Sequence, residues 1–299
     1  MSIQNRSLLQ MSPGMRIALF IAISGISMII GAFVTFSIVA SYLHVGFDQI
    51  QRVLLSPEHA RLALFSNAFA SVIAFLIPSI AVAYFAEGAI WKNLGFEKVA
   101  NAKLFLWVIL LSIAGLILSG ALASVTELIP IPQAVKTWAN GLEANYKQAL
   151  MTMMQMHSIA DLLINLAAVA LVPAIVEELY FRGALQSNLK AWSGNYWIAI
   201  IVTSIIFSAF HFSYFGFLSR MGLGIVLGFI FQYTKSIWLC ILMHFINNGI
   251  AIVALYSAKG DMAKSDKIME EHLPMYWGAF AIVLVVNLLK QIKKEANYE

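Results

Sequence analysis

Six side chains in the C-terminal half of the chain have types and spacings that could do chemistry. Glu177 and Glu178 are adjacent, and Arg182 lies four residues beyond Glu178. They follow Asn165–Ile175, a stretch without a charged side chain, so they fall where a helix would lie in lipid. A charge at the bilayer centre costs roughly 2.5 kcal/mol or more, and such groups usually face a bundle interior or a wet cavity. On a helix Glu178 and Arg182 share one face and can pair, while Glu177 is turned about 100° away. One carboxylate can therefore be neutralised while the other stays free to act. His211 and His244 lie within or at the edge of later apolar runs, and Asn248 stands one turn beyond His244 on the same face.

A Glu beside a His can hold a water and activate it as general base. A second His and an Asn can donate hydrogen bonds to a developing oxyanion. Together these groups are equipped for amide hydrolysis without a covalent nucleophile. Glu177, His211 and His244 are also a ligand set for catalytic zinc, with water in the fourth position. No His-Glu-x-x-His helix is present, so zinc and metal-free chemistry both stay open. The other histidines, His44, His59, His157 and His272, fall in loops or near span ends, where solvated roles suffice.

The elements that must position these groups are membrane helices. Of 299 residues 61% are hydrophobic and 11% charged, with a mean hydropathy of +0.81. A soluble domain is about 25% charged. The expectation is an all-α, polytopic membrane bundle, one domain over 1–299, of about eight spans: Ile17–Leu43, Leu62–Ala86, Leu104–Val125, Ser158–Ala191, Tyr196–Phe212, Phe217–Thr234, Ile237–Tyr256 and Met275–Leu289. Residues 158–256 form the core that carries the chemistry. Residues 127–157 have the helical spacing of an amphipathic segment on the membrane surface. Glu177 and His211 both lie roughly 25 Å from the Ser193–Gly194 turn, at about 1.5 Å per residue, so they reach one level on adjacent helices. Cys240 is the only cysteine, which excludes an intrachain disulfide. The net charge of +4 is scattered, so nucleic acid is not an expected partner. Membrane lipid is.

Glu-Glu-x-x-x-Arg at 177–182, Phe-x-x-x-His at 207–211 and His-x-x-x-Asn at 244–248 resemble the three motifs of the CAAX prenyl protease and bacteriocin-processing family of intramembrane proteases. The resemblance covers 173–248. It implies that Glu177 and His211 activate the water, that His244 and Asn248 stabilise the oxyanion, and that Glu178 and Arg182 brace the site, with Phe207 packing in the motif. It also implies a peptide or protein substrate, lipid-modified in some members. The family has been described both as metalloproteases and as metal-free glutamate proteases. Its prenyl proteases cut on the cytoplasmic side. The excess of Lys and Arg on the side of both termini instead puts the termini inside and His211 toward the outer half. The expected location is the bacterial inner membrane. Two other readings use the same residues: a proton-coupled transporter with a membrane carboxylate pair, and a non-catalytic immunity or binding protein.

Overall fold

The computed structural model describes residues 10–99, 101–258, 261–270 and 273–297; His272 lies outside them. Among the described residues there are helices and no strand. In chain order these are α1 (Pro13–Leu43), α2 (Ile50–Leu54), α3 (Ala60–Tyr84), α4 (Ile90–Asn93), α5 (Lys103–Leu128) and α6 (Gln133–Met153). Then come α7 (Ile159–Ser193), α8 (Tyr196–Ala209), α9 (Phe217–Thr234), α10 (Ile237–Ser257), α11 (Met262–Glu270) and α12 (Tyr276–Glu295). Seven of the described helices (α1, α3, α5, α7, α9, α10 and α12) are long and apolar enough to cross a membrane. The chain is an integral membrane protein with an all-α bundle.

The expected span Tyr196–Phe212 differs from expectation. The apolar run continues to Phe212, but α8 stops at Ala209 after 14 residues, which is about 21 Å of helix. His211 therefore sits in the turn after α8. Its backbone N–H bonds the Ser208 carbonyl (3.2 Å), and Phe212 takes a left-handed φ of 49°. Composition cannot separate the last turn of an apolar helix from an apolar loop tucked against a bundle.

The helix that carries the Glu pair is locally well specified. Ser158 caps α7 in a reciprocal box with Asp161, and Arg61 of α3 holds the same Asp161 at 2.6 Å. Pro173 has no N–H to give the carbonyl four residues back. The wider π winding over Leu166–Leu171 lies just ahead of it, and a second π segment covers Leu179–Gln186. Glu177 and Glu178 lie between the two. At the far end Gly194 adopts φ 67°, and Asn195 caps α8 by accepting the Trp197 N–H at 2.8 Å.

α5, α7, α9 and α10 form the inner group; α12 lies along α5, and α1 pairs with α3, which packs on α7. Two glycines of α9 allow the closest approach. A Cβ on Gly224 would come within 3.1 Å of Ser204 Cβ, and one on Gly228 within 2.9 Å of Ile200 Cγ2, both on α8. Small residues of this kind let membrane helices pack backbone to backbone. The carbonyls of the same two buried glycines accept from Arg182 Nη2 (3.3 Å) and Gln186 Nε2 (3.0 Å) of α7. Cys240 is fully buried in α10.

Candidate active site

Glu178 and Arg182 are completely buried and joined at 2.6 Å. The i, i+4 pairing survives although the π winding begins at Leu179. Glu178 Oε1 also takes His244 Nδ1, 2.8 Å away across α7 and α10. An acceptor-only carboxylate requires that Nδ1 carry the hydrogen. His244 Nε2 is then left facing Glu177, at 3.9 Å from Oε2. That separation is too long for a hydrogen bond and has room for a bridging water. Glu177 Oε2 is itself buried with no hydrogen-bond partner among the described residues.

His211 is fixed by the same logic. Its Nδ1 stands 2.9 Å from the Phe207 carbonyl, which can only accept, so the hydrogen is on Nδ1 and the Nε2 lone pair is free. Phe207 is central to the packing here. Its ring meets the His211 ring at 4.9 Å, the His244 ring at 5.9 Å and the Phe181 ring at 5.1 Å. The Arg182 guanidinium lies over its face at 4.7 Å. A desolvated cation over an aromatic face is stabilised by the ring quadrupole, so Arg182 is neutralised by Glu178 on one side and by Phe207 on another.

Glu177, His211, His244 and Asn248 line one cavity of about 420 Å³. Asn248 is half-buried, and the hydrogen bond of His244 goes to Glu178 rather than to Asn248. Among the described residues no three His, Cys, Asp or Glu side chains are gathered in a way that would hold a metal ion. The donors suited to zinc are thus present but are not drawn together around a point.

Two lining residues were not singled out from the sequence. Asn247 is buried and its Oδ1 has no partner; its adjacency to Asn248 was the available signal. Arg220 lines the cavity from the first turn of α9. It lies inside the apolar run Phe217–Thr234, and that position was the signal. α6 supplies another wall through Tyr146, Leu150 and Met153. It is tied down by Ser213 Oγ donating to Glu143 at 2.8 Å and by Lys147–Asp266 at 3.1 Å.

Residues 159–250 match the family model of the Rce1-like type II CAAX prenyl endopeptidases. That segment is similar to the CAAX prenyl protease family. It spans all three motifs and the cavity residues from Val169 to Asn248, and it supports a CAAX-protease-like membrane endopeptidase at family level. No curated protein and no solved structure matches the chain.

Proposed function

We propose that this protein is an intramembrane endopeptidase, lodged in the bacterial inner membrane, that cleaves a peptide bond with a water activated by Glu177. The observation that carries this reading is the free Glu177 Oε2 facing His244 Nε2 across 3.9 Å, in a cluster where Glu178 and Arg182 already neutralise each other. His211 accepts one hydrogen of the water at Nε2 and orients it. Glu177 takes the other as the oxygen attacks the carbonyl carbon. Charge on the former carbonyl oxygen is met by the Asn248 amide and by an Nε2–H of His244 in its doubly protonated form, with Glu178 holding Nδ1–H. Collapse expels the amine, which takes the proton from Glu177.

A lipid-modified substrate fits the surroundings. A second cavity of about 260 Å³ is lined mainly by apolar groups of α1, α3 and α6 and shares Asn67, Ala149 and Met153 with the first. A prenyl chain in this groove would bring its peptide to Glu177.

The test is cleavage of a quenched fluorescent peptide, an S-prenylated cysteine followed by two aliphatic residues and one more, by protein in lipid vesicles. Glu177→Gln should lower the rate by about 10²–10⁴-fold, the range for a positioned general base, with the melting temperature retained. Activity should survive a chelator, in protein without stoichiometric metal. Chelator-sensitive activity restored by zinc would instead make Glu177, His211 and His244 ligands. Undiminished cleavage by Glu177→Gln would remove the general-base role.

A further inference from the structure

We propose that Arg220 is a specificity-determining residue that holds a carboxylate of the substrate inside the cavity; this rests on the reading of that cavity as the peptide-cleaving site. Of the described residues that line it, Glu177 is the only carboxylate and Arg220 the only Arg or Lys. The two form no ion pair. The acids nearby are committed elsewhere: Glu178 to Arg182 and His244, and Glu143 to Ser213. Arg220 Nη1 is buried without a hydrogen-bond partner among the described residues. Arg220 as a whole is half-buried, but a buried guanidinium N–H left without an acceptor is costly, and the cost is removed by an anion that arrives with a ligand.

The guanidinium is also held in shape. Its Cζ lies 4.9 Å from the centre of the Tyr146 ring of α6, and its other neighbour is Gly216, where an added Cβ would collide with it. Gly216 is kept in place by its N–H, which donates to Ser213 Oγ at 3.1 Å, the same hydroxyl that donates to Glu143. The planar fork is therefore supported by an aromatic ring and by a side-chain-free stretch of backbone. A guanidinium fork matches a carboxylate with two parallel hydrogen bonds, which a lysine ammonium cannot do. Glu177 would mark the scissile bond, and Arg220 would mark an anionic group at a set remove from it. The carboxylate can come from the end of the substrate chain or from an Asp or Glu side chain.

The experiment uses the prenylated fluorescent peptide in three forms: free acid, C-terminal amide, and amide with Asp as the last residue. Cleavage by the full chain in vesicles is compared for wild type, Arg220→Gln and Arg220→Lys. Wild type should prefer the free acid over the plain amide by about thirtyfold or more, the lower end for breaking a buried, hydrogen-bonded charge pair. The preference should appear chiefly in KM, shrink in Arg220→Lys and fall to about one in Arg220→Gln. If the Asp amide behaves as the free acid, a side chain supplies the anion; if it behaves as the plain amide, the chain terminus does. Binding of the same peptides to Glu177→Gln protein, read by fluorescence anisotropy, separates this inference from the catalytic one. Acid-selective binding that needs Arg220, in a wild type that cleaves nothing, would overturn the protease reading and keep this one. Equal handling of acid and amide by wild type, no binding of any form, or a preference unchanged in folded Arg220→Gln would overturn the role of Arg220.

Discussion

Half of the apolar window is buried in α9 and in α10, against 22% in α1 and 17% in the span Pro57–Tyr84 that contains α3. The buried polar side chains of the two regions differ as well. In α1 and α3 the buried hydroxyls donate to their own helix: Ser24 to the Phe20 carbonyl, Thr35 to Gly31 and Ser79 to Phe75, at 2.6–2.7 Å. In the inner group some hydroxyls do the same, but the larger polar side chains cross between helices, from His244 to Glu178, Arg182 to Gly224 and Gln186 to Gly228. Lipid tails are as apolar as leucine, so hydrophobic burial does little to drive membrane helices together. Inter-helix hydrogen bonds and glycine contacts therefore set positions in the inner group. The outer pair is held mainly by side-chain packing, plus Tyr180 Oη donating to Ser24 at 2.9 Å and Arg61 donating to Asp161 at 2.6 Å. The apolar groove beside the Glu177 cavity lies at that outer pair.

This contrast orders the expected effects. Glu177→Gln removes activity by the factor given above and leaves stability in place, because its Oε2 holds no hydrogen bond. Glu178→Leu acts in the opposite way. It strands Arg182 and frees His244, and should cost about 3–5 kcal/mol, the range for orphaning a buried charge, seen as a large fall in melting temperature in mild detergent. Gly228→Val forces a methyl-bearing carbon to within 2.9 Å of Ile200 Cγ2 and should cost about 1–3 kcal/mol as overpacking. Ser24→Ala removes the hydrogen bond between α1 and α7 and should cost about 0.6 kcal/mol, the average for an inter-helix hydrogen bond in a membrane. If Ser24→Ala proved as damaging as Glu178→Leu, the two regions would not differ as described.

The Glu178–Arg182 pair was legible in the sequence because a spacing of four survives the change from α to π winding. So were the bundle and the level at which Glu177 and His211 approach each other, since turn chemistry at Gly194 and Asn195 sets the hairpin. What crosses between helices was not legible. Sequence spacing linked His244 to Asn248 within one helix, whereas its hydrogen bond goes to Glu178 on another. Arg220 falls inside the expected span Phe217–Thr234, where one cation near the end of an apolar run resembles an interfacial charge. What sets it apart is a buried Nη1 without an acceptor at the cavity wall, and that is a three-dimensional property. Pro173 signalled a break in the winding but not that a π segment would lie on each side of the Glu pair.

The shortness of α8 has a consequence for the surrounding lipid. Its 14 residues cover about 21 Å, while the hydrocarbon layer is about 30 Å thick. The hydrophobic mismatch falls at the end where His211 turns away from the helix. There the bilayer would thin, or the gap would be filled by α6 and the Ser213–Gly216 turn with water behind them. In either case the aqueous boundary would dip toward Glu177, so the water of the proposed hydrolysis need not cross a full leaflet. Acyl-chain length then becomes a variable on which turnover depends.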